Sequence, residues 1–249
     1  MVADDIGSIV SRMRVEIWSD VVCPWCYIGK RRFEKALERV KGVPGASDIE
    51  IVFRPYQLDP TAAPGRVQPV VDAYAKKFGG PERAAEILER VTSVAAADGI
   101  TFNMQIALRA NTLLAHRLLW FAESHGDQIA LKERLLKAYF TDGLNISDPE
   151  VLVECAADVG FDRDETRSFL DSDTGHGEVM QDLALAAANG ISAVPTFVFN
   201  GQWAVPGAQD VEVFERVLER LLAKEAEQPQ ADVEQLPNGQ VCVDDVCDV

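Results

Sequence analysis

Two cysteines separated by two residues are the side chains of this 249-residue chain best placed for covalent chemistry. They are Cys23 and Cys26, in the segment Val22-Cys23-Pro24-Trp25-Cys26-Tyr27. One helical turn brings such a pair to disulfide distance with little backbone movement. The first follows a strand-like run, Arg14 to Trp18, and the second falls in the first turn of a helix opened by Pro24. A helix N-terminus presents free N–H groups and the positive end of the dipole, which favour a thiolate. Cys23 is therefore expected to be an exposed nucleophile of lowered pKa. Cys26 is expected to be more shielded and to resolve a mixed disulfide. Trp25 adds apolar surface beside the sulfur but no cation. A zinc reading stays open, because two cysteines at this spacing are half of a four-cysteine site and Cys242 with Cys247 could complete it. A purely structural 23–26 disulfide closes too short a loop to stabilise much.

A second feature lies about 170 residues downstream, in Ile191-Ser192-Ala193-Val194-Pro195-Thr196-Phe197. A proline at a strand start removes a ladder donor. A trans proline would be an ordinary strand start. A cis Val194-Pro195 bond would instead make a fixed turn that aims backbone groups at a bound chain, which could pair by strand addition.

The elements that must hold these residues follow from periodicity. Phe33, Ala36, Leu37 and Val40 recur at helical spacing after Pro24, and Ile49 to Phe53 reads as a second strand. Strand, dithiol, helix and strand form the start of a βαβ unit. The next strand signal comes near residue 194. Between them the pattern is helical: 70–78, 82–97, 113–124, 128–140, 150–158, a short helix to Leu170, and 178–188, with Ser147 or Asp148 and Asp162 or Asp164 as caps. Thr196–Phe199 and Trp203–Val205 flank Asn200-Gly201, a strong hairpin signal. Val211, Phe214, Val217, Leu218 and Leu221 mark a final amphipathic helix. The expected fold is α/β: a small domain from residues 14–60 and 190–225, a helical insertion over 61–189, and a C-terminal extension over 226–249. Residues 1–12 read as a loose leader.

The net charge is −16, from 40 acidic against 24 basic residues. That disfavours nucleic acid and anionic membranes, which are bound through clustered Lys and Arg. No run approaches a membrane span, and the acidic N-terminus does not read as a signal peptide, so a cytoplasmic location is expected. In a reducing compartment a close cysteine pair reads as catalytic, redox-sensing or metal-binding rather than structural.

Asp20-Val21-Val22-Cys23-Pro24-Trp25-Cys26-Tyr27 together with Val194-Pro195-Thr196-Phe197 resembles the DsbA-like thioredoxin superfamily. The branch most similar is the FrnE-type disulfide oxidoreductases, relatives of 2-hydroxychromene-2-carboxylate isomerases. Asn111-Thr112, Ala115-His116-Arg117 and Gly207-Ala208-Gln209 also resemble that branch. The resemblance spans about residues 14–222 and implies a thioredoxin domain interrupted by helices, with a cis proline at Pro195. The isomerases and their kappa-class glutathione transferase relatives usually carry Ser where this chain has Cys23, so dithiol chemistry is expected. The expected activity is reduction or isomerisation of protein disulfides, in disulfide-containing or unfolded protein substrates. It needs no cofactor or metal, and glutathione or a thioredoxin-type reductant would recycle it. Two alternatives compete: a glutathione-dependent isomerase or transferase of a small aromatic molecule, and a noncatalytic chaperone or zinc-dependent interaction module.

The tail from Ala226 carries six acidic residues and no basic ones. Val233–Leu236, Pro237-Asn238-Gly239 and Gln240–Val243 read as a small hairpin ending in Cys242-Val243-Asp244-Asp245-Val246-Cys247. The second pair is read three ways: a shuttle dithiol exchanging with Cys23 and Cys26, a static staple, or a metal-binding or idle pair. The adjacent acids should raise the thiol pKa values there. Cys155 reads as a buried small hydrophobe, and His116 as a packing or capping residue.

Overall fold

The computed structural model describes residues 13–227 and, in the tail, the backbone of residues 234–235, 241–243 and 246–247. The leader, the turn expected at 237–239 and residues 244–245 lie outside the described residues.

β1 (Arg14–Ser19) and β2 (Glu50–Pro55) pair in parallel and are joined by α1 (Pro24–Val40). Parallel neighbours need a long crossover, and the helix supplies it. β3 (Gln68–Pro69) then opens the insertion. It is followed by α2 (Val70–Phe78), α3 (Pro81–Ala97), β4 (Leu108–Arg109), α4 (Leu113–His125), α5 (Gln128–Phe140), α6 (Pro149–Ala157), α7 (Arg163–Asp171) and α8 (His176–Ala188). The chain returns to the sheet as β5 (Thr196–Phe199) and β6 (Trp203–Pro206), and α9 (Val211–Glu227) packs back on α1. The sheet order is β2-β1-β5-β6, with β5 antiparallel to β1 and β6 antiparallel to β5. Asn200 and Gly201 both have positive φ, 50° and 65°, as the expected two-residue hairpin requires.

The helix boundaries follow the sequence signals closely. Asp148 caps α6 through Glu150 N, and Asp162 caps α7 through Asp164 N and Glu165 N. β3 and β4 form an antiparallel ribbon that had no signal in the sequence, because two residues apiece, one of them Pro69, are too few to alternate.

α1 serves two cores. Phe33, Ala36 and Val40 meet Val15, Ile17, Phe197, Phe199, Phe214 and Leu218 on the sheet side. Tyr27 and Ile28 join Val21 to the core of the insertion, with Leu118, Leu135 and Phe140. The N-terminal turn of α1 therefore lies at the seam between the two. Polar contacts lock that seam. Glu133 of α5 accepts from Tyr27 Oη at 2.7 Å, Lys30 Nζ at 2.5 Å and Arg31 at 2.5 Å. Gln128 bonds both Phe53 N (2.8 Å) and Phe53 O (3.2 Å), which occupies backbone groups on the outer side of the edge strand β2.

In the tail, β7 (Glu234–Gln235), β8 (Val241–Val243) and β9 (Val246–Cys247) form a separate antiparallel sheet, so the expected hairpin is present in the backbone. Cys242 and Cys247 are cross-strand partners in it.

Candidate functional site

β1 ends at Ser19, and a tight turn leads into α1, with Cys23 N donating to Asp20 O at 3.3 Å. Cys23 is the N-cap, in extended backbone (φ −89°, ψ 114°), and Pro24 occupies the first helical position. There its missing N–H costs nothing. Cys26 N donates to Cys23 O at 3.0 Å, which fixes one turn between the two sulfurs.

The Val194-Pro195 bond is cis. The Val194 carbonyl lies 3.7 Å from Cys23 Sγ, within reach of an S–H donor. Pro195 is held from both sides. Its carbonyl accepts from Gly207 N at 2.7 Å, and its ring lies over Gly29 of α1. A Cβ at Gly29 would stand 2.9 Å from Pro195 Cγ and 3.4 Å from Ala208. Gly29 is thus a site residue that the sequence reading missed, since a helical glycine carries no chemical signal of its own. Gly29→Ala is expected to push the Pro195 turn off the dithiol. Overpacking of this kind costs about 1–3 kcal/mol, partly offset by about 1 kcal/mol of helix propensity. Disulfide turnover should therefore fall much more than the urea midpoint. Unchanged turnover would show that the close approach of α1 to this turn is irrelevant.

One expectation is corrected. Cys23 and Cys26 are both buried, each keeping 3 % of its surface, so an exposed Cys23 beside a shielded Cys26 is not what the fold provides. The Val194-Pro195 turn lies against Cys23 and removes the difference. Burial pushes the Cys26 thiol well above its ordinary range, and the Cys23 sulfur beside it adds to this. Lys132 and a main-chain hydrogen bond from Asp20 pull it partly back. Trp25 is exposed at 41 % and flanks the pair on the solvent side.

Three more residues of the site were not legible as such. Asp20, Lys132 and His116 are all buried at this seam. Asp20 Oδ2 accepts from Leu58 N at 2.8 Å, and Oδ1 lies 3.2 Å from His116 Nε2. His116 does pack as expected, buried against Asp20. Lys132 is 1 % exposed, its Nζ stands 5.3 Å from the centre of the Phe53 ring, and that ammonium has no hydrogen-bond partner. Desolvation drives its pKa down to about 8, against attraction from Cys26, Asp20 and Cys23. Lys132 sits on the helical pattern of α5 between Leu131 and Glu133, where a lysine reads as an ordinary solvated residue. Only the fold shows that the position faces inward.

Other candidates fall where packing puts them. Cys155 is fully buried, and burial pushes its thiol up to about 11. Asn111 braces the start of α4 by bonding Ala62 O and Leu113 N. Arg117 bonds the carbonyls of Phe169, Ser172 and Thr174. Ala208 packs beside Gly29, and Arg32 ties its carbonyl to α1 at 3.0 Å. For Cys242 and Cys247 the backbone register is the whole description. Directly opposed residues of antiparallel strands have Cα atoms about 4.5–5.5 Å apart, a separation that a disulfide spans. No helix among the described residues is long and apolar enough to cross a membrane.

Comparison with known proteins places this geometry. The model of the DSBA-like thioredoxin domain matches residues 14–219. A probable DsbA oxidoreductase from Streptomyces coelicolor is 37% identical, with a TM-score of 0.80 over 95% of this chain and 99% of that one. Two more distant structures share the fold. A cytosolic disulfide reductase from Pseudomonas aeruginosa, solved with GSH, is 18% identical (TM-score 0.59, 84% of this chain and 99% of that one). A 2-hydroxychromene-2-carboxylate isomerase is 16% identical (TM-score 0.60, 86% and 98%).

Proposed function

The chain belongs to the DSBA-like thioredoxin domain family, and from that premise we propose that it reduces or isomerises protein disulfides through the Cys23-Pro24-Trp25-Cys26 dithiol. The observation that carries this reading is the meeting of Cys23 at the α1 N-cap with the carbonyl of the Val194-Pro195 turn, 3.7 Å from its sulfur.

The Cys23 thiolate attacks one sulfur of a substrate disulfide. A Cys23–substrate bond forms, the substrate S–S bond breaks, and the departing thiolate takes a proton. The backbone at Val194-Pro195 holds the substrate chain by strand-like pairing. Cys26 then loses its proton and attacks Cys23 Sγ. The second substrate thiolate leaves, and two electrons have passed from the dithiol to the substrate. If a substrate thiol attacks instead of Cys26, the outcome is isomerisation. Lys132 is the group placed to help Cys26 lose its proton. A neutral amine accepts it, and the ammonium so formed steadies the thiolate.

In the cytoplasm, glutathione or a thioredoxin-type reductant would return the oxidised pair to the dithiol. Cys242 and Cys247 are proposed as a relay in that recycling. Replacing both with Ser should slow multiple turnover about fivefold or more while a single round of substrate reduction persists. Equal multiple-turnover rates with every reductant would remove the relay.

Turnover of a disulfide-linked peptide, and recovery of activity from a scrambled disulfide protein, test the reading. Wild type is expected to act in at least one of the two and Cys23→Ser in neither. Full turnover by Cys23→Ser would overturn the assignment, and stoichiometric zinc held by the purified chain would favour the interaction-module alternative.

A further inference from the structure

A cavity of about 500 Å³ opens beside the dithiol, lined by Val22, Leu58, Val70, Phe78 and Ala110, with the phenols of Tyr74 and Tyr139 in its wall. Its size and mixed apolar and polar lining are those of a ligand pocket. Val22 joins it directly to Cys23. Tyr74 is close enough for the Cys23 charge to help burial raise its phenol to about 12, so it stands there as a protonated donor. The charged lining is mostly cationic: Lys76, Lys77 and Arg109, with Asp59 as the one acid. Arg109 is ion-paired to Asp59. Among the described residues, neither lysine has an ion-pair partner. Lys77 Nζ stands 5.6 Å from the centre of the Phe78 ring, so on a chain of net charge −16 this is a positive site near the reacting sulfur with no carboxylate among the described residues on its lysines. The rim is apolar and open to solvent, with Leu58 at 45 % and Phe78 at 39 % exposure. Such a rim suits a polypeptide better than a small hydrophilic thiol.

We propose that this cavity is a specificity pocket for the substrate polypeptide, taking an acidic side chain carried within a few residues of the disulfide cysteine. The carboxylate meets Lys76 and Lys77 and can accept from Tyr74, while apolar neighbours lie on Leu58 and Phe78. This rests on the disulfide-exchange reading above and adds substrate selection to it. Lys76 and Lys77 act on binding and not on the exchange of sulfurs.

The test uses a set of disulfide-linked peptides differing only in one residue, Asp, Asn or Lys, at each of the two positions on either side of the cysteine. Partly exposed ion pairs contribute little each, so two lysines should give Asp about a three- to tenfold advantage in kcat/KM over Lys at one position or more. The preference should shrink as salt is raised. In Lys76→Gln/Lys77→Gln the Asp-to-Lys ratio should fall to about one, whatever the variant's absolute rate. Equal rates for Asp and Lys peptides, or a ratio that survives the double substitution, would overturn the pocket while leaving disulfide exchange intact. Glutathione disulfide turned over better than every peptide, and losing that advantage in the double variant, would overturn the polypeptide occupant. Absence of turnover for all peptides would remove the underlying reading itself.

Discussion

Cys26→Ser is expected to stop the reaction halfway, with the substrate covalently attached to Cys23. The physical reason is the one-turn geometry of the pair. Cys23 O accepts from Cys26 N, so the two sulfurs share one turn at the head of α1. Cys155 is buried on α6 in the core of the insertion, with its thiol pushed up to about 11. A mixed disulfide on Cys23 therefore has Cys26 as its internal exit. Without it, release depends on outside thiols, and steady-state turnover should fall about a thousandfold at low thiol. Mass spectrometry of the quenched reaction should show one substrate adduct per chain, removed by dithiothreitol. Isomerisation, which uses a substrate thiol for release, should survive better than reduction. An adduct on Cys155, or none at all, would contradict the order of attack.

Lys132→Met is expected to make the protein more stable and less active. An ammonium that is 1 % exposed and without a hydrogen-bond partner is costly to bury. Its pKa of about 8 in the fold lies below the ordinary lysine value of 10.5. Between those values the unfolded chain binds more protons than the native one, so this group makes stability rise with pH from about 8 upward. Below pH 8 the penalty is fully present, on the order of 3 kcal/mol by the shift. Methionine has similar length and no charge, so Tm at pH 7 should rise, and the gain over wild type should shrink as pH increases past 8. Cys26, raised by burial, works in the opposite direction at higher pH, because the unfolded thiol ionises first there. The region between about pH 8 and 9 is therefore the cleaner window. The kinetic effect has the opposite sign. The groups facing Lys132 are Cys26, Asp20, Cys23 and Lys30, with the Phe53 ring below it. Wild-type resolution by Cys26 should quicken as Lys132 loses its proton near pH 8, and in Lys132→Met that rise should disappear. Stopped-flow decay of a preformed mixed disulfide from pH 6.5 to 8.5 measures it. A variant that resolves at the wild-type rate and with the same pH profile would exclude the lysine as proton acceptor.

The two effects also show which parts of the site a one-dimensional reading can reach. Cys23, Pro24 and Cys26 announce themselves because cysteine spacing and an N1 proline are local signals, and the α1 boundaries follow from them. The hairpin at Asn200-Gly201 is equally local, since two positive φ angles leave few residue choices. Pro195 is reached by resemblance, because the contact of its turn with Cys23, through Val194 O, spans 171 residues. Lys132, Asp20, His116 and Gly29 escape because their roles depend on which way a helix or turn is rotated against its neighbour. Lys132 follows Leu131 in α5, and only docking of that helix onto α1 through Glu133 turns the lysine toward the dithiol. Gly29 matters through a 2.9 Å approach to a residue in another segment. Burial of Cys23 was hidden for the same reason, since the cover comes from the distant Val194-Pro195 turn.

The central claim is that Cys23 and Cys26 form one two-electron couple entered at Cys23. Fully reduced chain mixed with one equivalent of a disulfide-linked peptide, quenched by alkylation and mapped by mass spectrometry, tests it most directly. The account predicts a Cys23–Cys26 disulfide appearing in step with the release of two peptide thiols, and a transient peptide adduct on Cys23. Peptide reduced while Cys23 and Cys26 both stay alkylatable, or an adduct that starts on Cys26, would contradict it.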